Sequence, residues 1–261
     1  MRSYYSNNYS TTSNKNDTFN EQLSESIIPD IIHNQQFSPL NFEAPSENIR
    51  AAVTLKNLLA TNLHLGHNKK IQNKFMSKFI FGQRNNIQII NLDQTLVYLR
   101  KAINVTREVS FAGGNILFVG TRPAIHNITV QAAVNSNSFY TLDWIPGTIT
   151  NKERVLRKSV GYDPDKIAQI QSLQISEGEE LPTTQPYVHQ PDLLILLDYQ
   201  NTKWAAREAN LNGIPIIAVC DTDLDPTLIQ YPIPANDDSV KGIEYLSGVL
   251  SWAAREGYFI M

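Results

Sequence analysis

Three short apolar runs, "NILFVG" (115–120), "LLILLD" (193–198) and "IPIIAVCD" (214–221), constrain the fold more than any other feature of the chain. A strand with one wet face alternates apolar and polar side chains, and these runs do not. They read as strands buried on both faces, the condition of a parallel sheet covered by helices. Between them lie helix-length segments: the patterning predicts helices from about Asp93 to Phe111, Pro123 to Ser136, Thr202 to Leu211 and Ser239 to Glu256. "NIQII" (86–90) and "FYTLDWI" (139–145) are further strand-like runs in the same alternation. The expected class is α/β, a parallel sheet with helices on both sides. Gly213 is placed just past a helix end, and Gly113-Gly114 caps the helix that ends at Phe111. "TDLDPTLIQYPIPANDD" (222–238) reads as a turn-rich connection in which "YPIP" is a rigid turn. An earlier helix is expected within "PSENIRAAVTLKNLLATN" (45–62), with Ser46 as N-cap and Val53, Leu55, Leu58 and Leu59 as its apolar face.

Residues 1–45 are rich in Ser, Asn, Thr and Tyr without apolar periodicity, and are expected to be a flexible or partner-bound extension. Arg2 and Lys15, with no acid in the first 16 residues, faintly suggest an organellar targeting remnant. Residues 46–261 then form the α/β domain, interrupted at about 152–190 by a basic, then acidic and Pro-rich insertion. No run approaches the roughly 18 to 20 apolar residues that span a bilayer. The single Cys220 lies within an apolar strand, which predicts a buried, unreactive thiol and no disulfide framework.

The net charge of −3 conceals a division. Residues 62–158 carry 13 Lys and Arg against four acids, while the remainder carries nine against 21. One half is suited to phosphate, the other to protein or solvent. Within "NLHLGHNKKIQNKFMSKFIFGQRNN" (62–86), Lys69, Lys70, Lys74, Lys78 and Arg84 occur without an acid, interleaved with Phe75, Phe79 and Phe81. Asn68, Gln72, Asn73, Gln83, Asn85 and Asn86 add neutral hydrogen-bonding groups; Arg100, Lys101, Arg107, Lys152, Arg154, Arg157 and Lys158 add charge. Such a mixture fits RNA, with cations supplying affinity and amides fixing register. The phenylalanines are read as core residues and not as base-stacking platforms.

Other chemistries are weighed against this one. His64 and His67 stand three apart, but zinc takes three or four protein ligands, and the nearest acid downstream is Asp93; no metal is expected. No G-x-G-x-x-G and no phosphate-loop motif occurs, so no nucleotide cofactor is expected. Asp221, Asp223 and Asp225 gather after a strand, where α/β enzymes place catalytic groups, and give the alternative reading of a phosphate- or Mg²⁺-dependent enzyme. G-x-S-x-G is absent.

The order of short motifs adds a resemblance. "HLGHN", "FIFGQRNNIQIINLDQT", "GGNILFVGT", "WIPGTITN", "PDLLILLD", "EANLNGIPIIAVCDTDLDP", "IPANDD" and a closing "AAREG" run collinearly from Ser46 to Gly257. In this the chain resembles the universal small-subunit ribosomal protein two family, bacterial and organellar branch. The resemblance implies a flavodoxin-like parallel sheet flanked by helices with a reduced helical-hairpin insertion. It implies a structural constituent of the small ribosomal subunit, not an enzyme, with no cofactor, no membrane and no small-molecule substrate. Its partners would be small-subunit rRNA and neighbouring ribosomal proteins. Lys69, Lys70, Lys74, Lys78, Arg84 and Asn85, with Arg154 and Arg157, would face RNA. The chain departs from the family pattern at Asn62, where Gly is usual, and at Asp143, where a basic residue is usual. These departures and the long N-terminal extension point to the mitochondrial form, placed in the mitochondrial matrix.

Overall fold

The computed structural model of the chain describes residues 53–152, 155 and 190–260. In chain order these form α1 (Leu55–Ala60), β1 (Leu65–Asn68), β2 (Ile80–Arg84), β3 (Ile87–Ile90), α2 (Leu92–Phe111), β4 (Ile116–Val119), α3 (His126–Asn135) and β5 (Phe139–Thr141). Beyond the insertion come β6 (Leu193–Leu196), α4 (Lys203–Leu211), β7 (Ile216–Cys220), β8 (Tyr231–Pro234) and α5 (Val240–Ile260). Short 3₁₀ turns occupy Lys69–Ile71, Lys74–Phe79, Pro123–Ile125 and Pro226–Leu228.

Five parallel strands make the body, in the order β5-β4-β6-β7-β8. Numbered along the chain, that is 2-1-3-4-5, the flavodoxin-like arrangement. Leu117, Val119, Leu194, Leu196, Ile216, Ala218 and Cys220 point to one face. There they pack with Ala205, Ala206 and Ala209 of α4 and with Met76 and Phe79 of the second 3₁₀ turn. Residues of the opposite parity, Ile116, Phe118, Leu193 and Ile217, are equally buried, on the side covered by α2, α3 and α5, which pack together. Cys220 is fully buried, and burial pushes its thiol far above the ordinary range, as its place in the strand predicted. Among the described residues no helix is long and apolar enough to cross a membrane.

The expected helices form, with ends shifted by a few residues. The cap after α2 is a Schellman turn: Gly113 has φ +74°, its N–H donates to Ser110 O, and Gly114 N–H donates to Val109 O. Gly213 (φ +70°) follows α4 in the same role. Three expectations change. "YPIP" is a strand, β8, rather than a turn. β8 lies at the edge of the sheet, where proline is tolerated. Ala235 N–H donates to Cys220 O, so by alternation Pro232 and Pro234 sit where no N–H to the neighbouring strand is needed. "NIQII" does not enter the parallel sheet; as β3 it is the centre of a separate antiparallel sheet, β1-β3-β2. Within the described residues the first helix starts only at Leu55, capped by Thr54, and Val53 precedes it. Ser46, the extension 1–45, most of the insertion 152–190, and with it Arg154 and Arg157, lie outside the described residues.

Candidate nucleic-acid interface

The basic segment is built from short turns pinned to the body by apolar side chains. In Lys74–Phe79, Met76 and Phe79 are buried in the core while Lys74, Phe75, Ser77 and Lys78 face outward. Three-residue periodicity puts positions 76 and 79 on one side, which leaves the lysines in water. Asn68 Oδ1 accepts from Lys70 N–H (3.1 Å), and Asn73 Oδ1 from Phe75 N–H (3.0 Å). Gln72 Nε2 donates to Ser77 Oγ (3.1 Å). These three side chains, read as neutral donors to RNA, are used in folding the turns. Asn85 (φ +50°) and Asn86 (φ +64°) form the tip between β2 and β3. Two consecutive left-handed residues make a type I′ hairpin, for which Asn is favoured. Lys69 N–H donates to Asn86 O (3.0 Å), which sets Lys69 and Lys70 beside Arg84 and Asn85. Lys74 and Lys78 form a second group flanking a cleft. All five cations and Asn85 are exposed, and among the described residues none of the cations has a carboxylate within ion-pair distance. Of the phenylalanines, Phe79 is core, whereas Phe75 and Phe81 are 57% and 77% exposed.

The His64-Leu65-Gly66-His67 turn is explained by what lies against it. A Cβ on Gly66 would stand 2.6 Å from Thr222 Cγ2, so only glycine lets β1 lie this close to the end of β7. His67 N–H then donates to Thr222 Oγ1 (2.9 Å), and its ring enters an acidic cluster. Nδ1 is 3.1 Å from Asp221 Oδ2 and 4.0 Å from Asp223; Nε2 is 3.4 Å from Asp238. Burial lowers the His67 pKa, but Asp221, Asp223 and Asp238 together hold it above the ordinary value. Asp221 is raised by burial, against hydrogen bonds from Thr222 and His67. Asp237 is pushed up to about 7, first by burial and then by the charge of Asp221.

His67, Asp221 and Asp237 each offer a ligand atom, all within 4.8 Å of one another, and are the described residues able to hold a divalent cation. Spacing along the chain could not show this set, because both acids come from the opposite end of the sequence. The Asp221, Asp223 and Asp225 trio is not gathered into one site. Asp225 turns away to cap the 3₁₀ turn, accepting from Thr227 N–H (2.9 Å).

The carboxyl ends of β4 and β6 mark the topological switch point, where this fold usually holds a ligand. Here the chain's own side chains bridge it. Arg122 Nε is 3.6 Å from Asp198 Oδ2, and Nη1 is 3.1 Å from Asp238. Nη2 donates to the Asp237 carbonyl. Thr121 Oγ1 (3.1 Å) and Asn201 Nδ2 (2.7 Å) both donate to Asp198 Oδ2. A further group missed from sequence is Glu208 of α4, buried beneath "WIPGTITN". Its carboxylate accepts from Gly147 N–H (2.7 Å), Ile149 N–H (2.9 Å), Thr150 N–H (3.3 Å) and Trp144 Nε1 (3.3 Å). It thereby shapes the loop that leads into the insertion. Only its place in an apolar helix face could have hinted at this.

Known proteins match most of the chain. Small ribosomal subunit protein uS2m of Schizosaccharomyces pombe is 38% identical over 207 residues, 79% of this chain and 76% of the relative. The Neurospora crassa protein of that name is 37% identical, covering 78% of this chain and 47% of its own length. Small ribosomal subunit protein uS2 of Nitratiruptor is 34% identical over 78% of this chain and 83% of the relative. These names are of ribosomal proteins, not enzymes. A family model, ribosomal protein S2, covers residues 58–257. The Asn62 backbone, at φ +59°, also accounts for the Gly that the resemblance led one to expect there. With identities of this order over most of its length, the chain belongs to the ribosomal protein S2 family.

Proposed function

We propose that this chain is a structural constituent of the small subunit of the mitochondrial ribosome, holding ribosomal RNA and neighbouring ribosomal proteins. The observation that carries the RNA reading is the segment 69–85: five exposed cations and Asn85, fixed in position by Met76 and Phe79 and not neutralised by any described carboxylate. Free cations on a rigid surface suit a phosphate backbone, because each contact releases a counterion without first breaking an internal ion pair. Two fungal relatives carry the mitochondrial name, which supports the compartment. In this reading residues 1–45 are a flexible or partner-bound extension, and Arg154 and Arg157 are further RNA contacts.

The test is sedimentation of a tagged copy from purified mitochondria. Stoichiometric travel with the small subunit, including after low-Mg²⁺ dissociation, is the expected result. Combined Lys69→Glu, Lys70→Glu, Lys74→Glu and Lys78→Glu should move the protein to the top of the gradient. Unchanged incorporation of that variant would remove the assignment of this face.

A further inference from the structure

We propose that the cleft between Lys74–Phe79 and the loop after β7 is a subsite for one unpaired nucleotide of RNA, its base against the aromatic wall and its phosphate on the lysines. The inference rests on the RNA reading above and adds the chemical form of the ligand. The cleft has a volume of about 550 Å³, within the roughly 300–1,000 Å³ of pockets that enclose small molecules. Its walls come from three separate parts of the chain, so the tertiary fold fixes its shape. Its lining includes Phe75 and Tyr98 together with Pro226, Ile229 and Pro232. Tyr98 is held edge-on to buried Phe79, ring centres 5.3 Å apart, and Pro226 and Pro232 are themselves buried. The lining is therefore largely apolar, and Tyr98 and the prolines are held by the core beneath them while Phe75 stands exposed beside them.

The rim is cationic. Lys74 and Lys78 line it, Lys78 Nζ lies 4.8 Å from the Phe79 ring, and Lys101 Nζ lies 5.2 Å from the Tyr98 ring. Among the described residues no acid lines the cleft. An apolar slot beneath phosphate-binding cations matches a splayed-out nucleotide, whose base has a π face and whose backbone carries the charge. A paired base cannot enter, since its face is covered by its neighbours in the stack. Few groups could read the edge of the base. Gln230 is engaged elsewhere, with Oε1 accepting from Ile216 N–H and Nε2 donating to Asn210, and Ser77 Oγ already accepts from Gln72, which leaves the Ser77 O–H as a donor and the Thr227 hydroxyl. The subsite should therefore tolerate different bases, unlike a sequence-reading pocket.

The experiment measures binding of the full chain to short oligouridine, to oligoadenosine and to an RNA duplex of the same length, by fluorescence anisotropy. Phe75→Ala, at an exposed position, is expected to melt like the parent. It should weaken both single strands by roughly five- to a hundredfold, with less than about twofold effect on the duplex. Phe75→Trp should restore single-strand affinity, with quenching of the indole as RNA is added. The charge reversal Lys69→Glu with Lys70→Glu, away from the cleft, should weaken all three probes together. Equal loss on duplex and single strand in Phe75→Ala, or no loss on either, overturns the subsite while leaving the RNA face to be judged by the charge reversal. Stronger dependence of a polyglutamate peptide than of RNA on Phe75 would make the cleft a site for an acidic protein segment, and overturns it too. Failure of the parent chain to bind any of the RNAs removes the RNA face itself.

Discussion

At the scale of single residues, the most consequential groups are charges that burial makes costly. Asp237, Asp221 and His67 all have raised pKa values. A raised carboxylate binds its proton more tightly in the folded chain, so its contribution to stability is complete below its unfolded pKa and is lost as pH rises through the folded value. For Asp237 that interval runs from 3.8 to about 7. His67 acts in the same direction: its contribution is full below 6.5 and disappears above its raised folded value. The melting temperature of the chain should therefore fall as pH is raised from about 5 to about 8. Asp237→Asn should flatten the lower part of that dependence, as thermal melts in a pH series will register. Glu208 is a buried carboxylate held by hydrogen bonds, accepting from three N–H groups and an indole. Glu208→Ala leaves the buried Ile149 N–H and the half-buried Gly147 N–H and Trp144 indole without their acceptor and should cost about 1–3 kcal/mol in urea unfolding. Glu208→Gln, which keeps one oxygen, should cost less.

At the scale of elements, what matters is how closely backbones approach. α2 and α5 cross at Gly257, where an added Cβ would lie 2.3 Å from Arg107 O and 3.0 Å from Phe111 N. Neither backbone atom belongs to a movable side chain, so the helices must separate. Gly257→Ala should destabilise the fold by about 1–3 kcal/mol, measured as a lower urea midpoint with an unchanged slope. The final "AAREG" was visible as a motif, but no property of the motif itself says that its glycine faces another helix. The Schellman turn at Gly113-Gly114 is the opposite case: helix periodicity ends at Phe111, two glycines follow, and the cap is local. β8 again needed the tertiary view, because "YPIP" has the composition of a turn, and only its position at a sheet edge makes two prolines compatible with a strand.

Across the whole molecule, the division of charge is expressed as a division of roles. Five exposed cations without an ion pair are concentrated on the 69–85 segment, while Arg122 is taken into ion pairs at the carboxyl ends of the strands. At the switch point between β4 and β6, Arg122, Thr121 and Asn201 all engage Asp198, so the chain's own side chains bridge the carboxyl ends of these strands. RNA affinity of the full chain should fall log-linearly with salt. Removing one exposed lysine, such as Lys70→Ala, should reduce the magnitude of that slope by about one. An anisotropy titration at several salt concentrations supplies the slope, and an unchanged value would place Lys70 away from phosphate.

The sequence by itself determined the α/β class, the four main helices, four of the parallel strands, the glycine caps after α2 and α4 and the basic segment. Each of these depends on neighbours within a few residues: continuous apolar runs, helical spacing, a glycine just past a helix end. The family could be recognised for the same reason, since its motifs are local and collinear. Tertiary structure alone decided that His67 meets Asp221 and Asp238, that Glu208 holds residues 147–150, that β8 is a strand, and that Phe75 and Tyr98 share a cleft with Pro226 and Pro232. Those groups are brought together by the order of strands and the packing of helices, and hydrogen bonding and burial act on distance in space, whatever the separation along the chain.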